Sequence, residues 1–283
     1  MEFQGSAFAL SSDGLNSAAN ALNVFAPEIW TVLAVETTGC GFLPDRRPEI
    51  LYERHLFHRL TGGRFDDGDI SDPHPGGYGA SGAHQYDRLG AAIALNRTAA
   101  LRSASWGIGQ VLGDNFAIAG FPDVETMVIS MSDSEDKQLT TVAKFLRATK
   151  LDVPLRVHDW TSFARGYNGP NFAINHYDAL LNGEFQKFSS GRLPDVLVRT
   201  AQLYLTYLDF HPGPIDGLSG TRTFSALAQF QSSKQLPVTT TIDANTIEQL
   251  QNTLMGVSTE SRDNLTAKRP SSRVKMRVLK ASK

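Results

Sequence analysis

The sequence predicts a mainly α-helical protein with a small β or irregular element, followed by a second, smaller unit of three helices. Three observations predict it. Apolar residues recur at helical spacing through most of residues 1–185, and no segment there sustains the alternation of a strand. A turn-plus-helix pattern at residues 216–227 then recurs, degenerate, at 239–250. A length of 283 residues leaves room for two domains. A hydrophobic content of 41% is enough for packed cores. The boundaries read as 1–187 for the large domain, 188–256 for the small one, and 257–283 for a tail.

Residues 10–36 predict two helices. Asp13 is placed to cap the turn into Leu15, Ala18, Ala19 and Leu22. The second begins at Ala26-Pro27-Glu28, with Pro27 near the first helical position and Glu28 favourable to the helix dipole. It is apolar almost all round through Val35, which predicts a buried helix ending at Glu36. Turn chemistry follows at Thr37–Phe42, and then Glu49–Glu53, a short strand or a helix start. Residues 61–82 hold seven glycines and two prolines and predict a long loop, which in a compact domain is usually functional or mobile. Helices are expected again at 84–103, 113–119, 123–132, 134–149, 159–166 and 171–183, and a linker at 186–193. The three small helices fall at 195–208 and after each copy of the repeat.

Lys and Arg number 27 against 29 Asp and Glu, a net −2, which argues against a nucleic-acid binder. The charge is uneven. Residues 267–283 carry seven cations and no acid, so the 20 cations and 29 acids before them leave −9. Such a tail is read as disordered in solution, and either docks on an anionic envelope surface or is merely solvated. One cysteine, Cys40, excludes an intrachain disulfide and a cysteine-rich zinc site. No apolar run reaches the ~18 residues of a membrane span, and the first basic side chain is Arg46, so no signal peptide is expected. His55 and His58, three apart, lack a third partner at metal-ligand spacing, and no phosphate-binding glycine loop is present. No metal and no cofactor is expected.

Three segments suggest chemistry. A carboxylate closing an apolar helix is partly desolvated, which raises its pKa and suits a general acid; the plain alternative for Glu36 is a solvated helix end. Ser105-Trp106-Gly107-Ile108-Gly109-Gln110 sets Gln110 behind two glycines, where a ligand can approach closely, or where two helices pack tightly. Gly166-Tyr167-Asn168-Gly169 offers an aromatic plane and an amide, or an ordinary helix end.

In this order, Glu-Thr-x-Gly, Gly-Ile-Gly-Gln and Gly-Tyr-Asn-Gly together resemble the signature of the lysozyme-like superfamily of goose-type lysozymes and lytic transglycosylases. Val35–Phe42 with Arg46–His55 is similar, more specifically, to the N-acetylmuramidase domain of phage endolysins, a resemblance spanning about residues 10–185. It implies a lysozyme-like fold in which Glu36 is the catalytic acid, Gln110 lines the sugar cleft, and Tyr167 and Asn168 sit opposite the acid. It also implies that Glu53 is a second functional carboxylate. Glu53 either activates water on the far face of the sugar or is a buried partner of Arg54 or Arg47. Pro212–Gly217, Gly220, Thr223 and Phe230-Gln231 resemble the three-helix peptidoglycan-binding domain, which implies wall-binding roles for Asp216, Gly217 and Thr223. The second copy departs from that pattern at Thr239-Thr240 and Asp243, and such domains usually precede the catalytic one.

The resemblance implies a monomeric hydrolase with peptidoglycan as its partner. It would cut the bond after N-acetylmuramic acid, lyse bacteria, and reach the periplasmic wall from the host cytoplasm by another agent's help, or act from outside. The alternatives are a lytic transglycosylase, which needs only Glu36, a non-catalytic virion component, and a peptidase or amidase using Cys40.

Overall fold

A computed structural model describes residues 2–36, 40–65, 68–170 and 172–256. The expected tail and part of the turn after Glu36 lie outside those residues. The expected mainly α fold is present. Helices α1 (Ser12–Leu22) and α2 (Ala26–Glu36) meet at a bend in which Asn23 takes a left-handed conformation. Ser11, rather than Asp13, caps α1: its hydroxyl accepts from Gly14 N at 2.9 Å, and Asp13 stands inside the first turn. Ser11 has the extended backbone a cap requires. Helix α2 is buried from Glu28 through Leu33. Its Glu28 does more than complement the dipole, since one oxygen accepts from Phe25 N and the other lies 2.8 Å from His158 Nε2.

Next come β1 (Ile50–Tyr52) and α3 (Arg54–Thr61), so residues 49–53 are both a strand and a helix start, with Glu53 at the junction. Helix α4 (His84–Arg102) is interrupted at Asn96, whose extended backbone lets its side chain cap Ala99 N at 3.0 Å. Strands β2 (Ala104–Trp106) and β3 (Val111–Leu112) complete an antiparallel sheet in the order β1-β2-β3, pairing Ile50 with Trp106 and Trp106 with Val111. Strands of two or three residues are too short to show an alternation, which is why β2 and β3 escape a periodicity reading. The helix expected at 113–119 is only a 3₁₀ turn at Gly113–Asn115. A Cβ at position 113 would meet the Leu101 carbonyl, so the glycine serves a close backbone approach.

Helices α5 (Val124–Asp133), α6 (Glu135–Ala148) and α8 (Trp160–Tyr167) fall close to expectation, with an unexpected short α7 (Asp152–Arg156) between the last two. A 3₁₀ turn, Phe172–Asn175, precedes α9 (Tyr177–Ser190). Residues 186–190 are therefore helix, not linker. Leu181 and Phe188 are buried on the face of α9 that packs along α2 and hold the helix through its polar end. The connection shrinks to residues 191–195.

Helices α10 (Val196–Tyr207), α11 (Thr221–Ser233) and α12 (Ala244–Leu254) form the small unit around Leu203, Leu205, Leu227, Phe230 and Leu250. Its apolar cluster also takes in Ala9, and Cys40 packs against it, so the two units share a seam. There Tyr207 Oη donates to the Ala7 carbonyl at 3.1 Å. At the centre of the seam, Arg199 of α10 pairs with Glu135 of α6, both inaccessible to solvent. Among the described residues, no single helix is long and apolar enough to cross a membrane.

Candidate active site

Glu36 ends α2 because the apolar run stops there. It is half-buried, and burial pushes its carboxyl from 4.5 up to about 7, against the pull of one hydrogen bond from Asn168. Asn168 Nδ2 donates to Glu36 Oε1 at 2.9 Å, which joins the ends of α8 and α2. Asn168 Oδ1 is buried and has no protein partner among the described residues. The two predicted residues are thus brought together, with an acceptor left over beside the acid.

The Gly107–Gln110 segment is the hairpin turn between β2 and β3. Gln110 has a positive φ of 48°, and its amide donates back to the Gly107 carbonyl at 2.9 Å and, more loosely, to that of Glu49. Its amide nitrogen therefore holds the turn and does not project toward a ligand. Tyr167 departs from expectation in the same way. Its ring stacks on Phe163 with centroids 5.4 Å apart, and its hydroxyl donates to the Gly109 carbonyl at 2.6 Å. The aromatic face expected to be open is packed, because a phenol between α8 and the turn satisfies both its apolar and polar parts there.

Glu53 closes β1 and occupies the cap position of α3 without capping it. Neither expected ion partner is free for it: Arg47 pairs with Asp45 at 2.6 Å, and Arg54 with Asp72 and the Gly76 carbonyl. Glu53 instead lies 3.5 Å from His55 Nδ1, and burial raises its pKa while Arg59 lowers it. His58 stands against Ser71 Oγ at 3.3 Å. Two residues are not apparent as site residues from the sequence. Burial raises the phenols of Tyr177, which opens α9, and of Tyr78, in the glycine-rich loop, and the carboxylates of Glu36 and Glu53, respectively, add to the shift. An aromatic among closely spaced glycines was the available signal.

Cys40 does not suit nucleophilic catalysis. Its thiol donates to the Phe42 carbonyl at 2.9 Å, and burial pushes its pKa up to about 12.

Behind the site runs a layer the sequence did not reveal. Gln138 of α6 accepts from Ile108 N at 2.7 Å and donates to the carbonyls of Gly41 and Met131. A Cβ at Gly41 or Gly107 would overlap the Gln138 amide, so both positions require glycine. Glu135, one turn earlier, accepts from Gly41 N and Leu10 N.

In the small unit, Gly217 and Thr223 of the expected wall-binding residues are buried, whereas Asp216 is exposed. Asp216 Oδ1 accepts from Leu218 N at 2.9 Å and from Gln202 Nε2. Thr223 is buried and donates to the Pro212 carbonyl. Gly217, at φ +72°, leaves no room for a Cβ against Pro194 and Asp195. Gln202 of α10 sits among them and accepts from Asp216 N and Gly217 N. The second copy replaces this set with Gln231, which exchanges two hydrogen bonds with Thr239. The repeat therefore encodes two loops, each braced by a glutamine from the preceding helix; Gly217 and Thr223 build the fold, and Asp216 stays at the surface while its carboxylate also closes the turn.

Residues 26–189, more than half of the chain, match the N-acetylmuramidase family. The chain belongs to that family. Residues 195–250 of this muramidase-family protein match a putative peptidoglycan-binding domain. The crystal structure of the Burkholderia AP3 phage endolysin is similar to it over 64% of this chain and 71% of that one, at 37% identity and a TM-score of 0.59. A search of curated proteins gave no match. The muramidase-family chain is therefore a peptidoglycan hydrolase with a mainly α, lysozyme-like catalytic part and a helical peptidoglycan-binding part.

Proposed function

We propose that this hydrolase cleaves the glycosidic bond between N-acetylmuramic acid and N-acetylglucosamine, and that bacterial lysis is the outcome. The observation that carries the reading is Glu36, a carboxyl raised to about 7 by burial at the end of an apolar helix. At neutral pH a large fraction of it holds the proton that a departing sugar oxygen needs. The general acid of lysozyme is raised by apolar surroundings in the same manner. Asn168 orients the acid through Nδ2 and offers Oδ1 to the sugar. Glu53, unpaired with Arg47 or Arg54, holds the attacking water. Gln110 and Tyr167 serve by holding the turn beneath the sugar. The chain works as a monomer at the wall, held there by the C-terminal unit.

The test pairs a variant with product analysis. Glu36→Gln keeps the shape and removes the transferable proton, and should lower wall digestion at least ~10²-fold with the fold intact. Mass spectrometry of wild-type digests should find reducing muramic acid ends. Near-normal activity in the variant removes the acid assignment, and predominant 1,6-anhydro ends move the protein to the transglycosylases.

A further inference from the structure

We propose that Arg199, in the peptidoglycan-binding unit, is a positioning residue for the active site, so that this unit completes the catalytic apparatus as well as anchoring it. The inference rests on the reading of Glu36 as the acid. Arg199 Nη2 donates to Glu135 Oε1 at 2.8 Å, and Nη1 reaches Oε2. The same carboxylate accepts from Gly41 N at 2.8 Å, five residues beyond Glu36, and from Leu10 N at 2.7 Å. The Gly41 carbonyl accepts from Gln138, which also accepts from Ile108 N. The next residue of that turn, Gly109, accepts from Tyr167, and Tyr167's neighbour Asn168 donates to Glu36. A continuous set of bonded groups thus runs from α10 to the acid.

The chemistry of the pair explains why the second unit matters. Burial works against the Glu135 charge, yet the guanidinium and the two backbone donors hold its carboxyl below the usual range. Without Arg199, Glu135 would be a buried anion with no ion-pair partner among the described residues, and would have to take a proton, admit water or move. Each response disturbs its grip on Gly41. Arg suits the position because its planar fork engages both carboxylate oxygens, which an ammonium does less well. Small displacements of a catalytic group are costly, since a misplacement of ~1 Å can cost ~10²-fold in rate.

The test uses the full chain and soluble, uncrosslinked glycan strands, whose cleavage needs no anchorage to an insoluble wall. The double variant Arg199→Met with Glu135→Gln removes both charges together. Its kcat should fall at least ~10-fold with KM within about threefold of the parent, while it still unfolds cooperatively and still pellets with insoluble peptidoglycan. Arg199→Lys alone should fall at least about threefold in kcat and keep more activity than the double variant. A kcat within twofold of the parent in the folded double variant overturns the proposal. Should the double variant fail to fold, Arg199→Lys decides: an unchanged kcat overturns it. Glu36→Gln run alongside separates the two readings. An active Glu36→Gln overturns both, whereas an inactive one beside unimpaired Arg199 variants overturns only the positioning role.

Discussion

Asn168 Nδ2 donates to Glu36 Oε1 at 2.9 Å across a separation of 132 residues, and joins two helix ends whose own sequences say nothing of each other. The bond favours the ionised carboxylate, and burial opposes it and wins.

The pH profile follows from that balance. With the acid raised to about 7, cleavage should fall as pH rises through about 7, and it should fall again in acid as Glu53, raised by burial, takes up the proton that disables it as a base. Among the described residues, the groups that face Glu36 are Asn168, Tyr167 and Tyr177. Asn168→Ala removes the stabiliser of the anion, so the alkaline fall should move to higher pH while kcat/KM drops. A profile displaced to lower pH would contradict the assignment. The stability sign is the same: the favourable contribution of Glu36 is fully present below pH 4.5 and is lost as pH rises through about 7. Glu36→Gln should therefore unfold at higher temperature than the parent at pH 8, with no gain at pH 4.

Glu53 is separable from Glu36 by chemistry. If it holds the attacking water, Glu53→Gln should lower hydrolysis ~10²-fold and leave the few products formed with reducing ends. Full activity in that variant, measured by reducing-sugar release, would leave Glu36 as the sole acid–base group.

Gly217→Ala tests whether the Asp-Gly motif is a matter of folding. A residue with φ +72° and a Cβ 2.8 Å from Pro194 is strained by both backbone and packing. Urea unfolding should show a loss of about 1–3 kcal/mol. An alanine variant as stable as the parent but unable to pellet with peptidoglycan would return Gly217 to a binding role.

The tail carries seven cations on a chain otherwise at −9. Comparing residues 1–266 with the full chain, truncation should weaken action on intact cells more than on purified peptidoglycan, and added salt should shrink the difference. Equal effects on both substrates would leave the tail without an envelope role.

What could be read from the sequence alone was local. The apolar run that ends at Glu36, the cap-and-turn punctuation of most helices, and the repeat at 216–227 and 239–250 all work within one or two helical turns. The order of three short motifs carried the family resemblance without showing what each side chain touches. Tertiary structure decided which polar groups face each other. Glu135, Gln138, Arg199 and Gln202 sit on amphipathic helices, where a polar residue reads as solvent-facing until a partner 14 to 125 residues away is packed against it. The same packing turned Tyr167 and Thr223 inward, because a buried hydroxyl is stable only where a backbone carbonyl stands ready to accept from it.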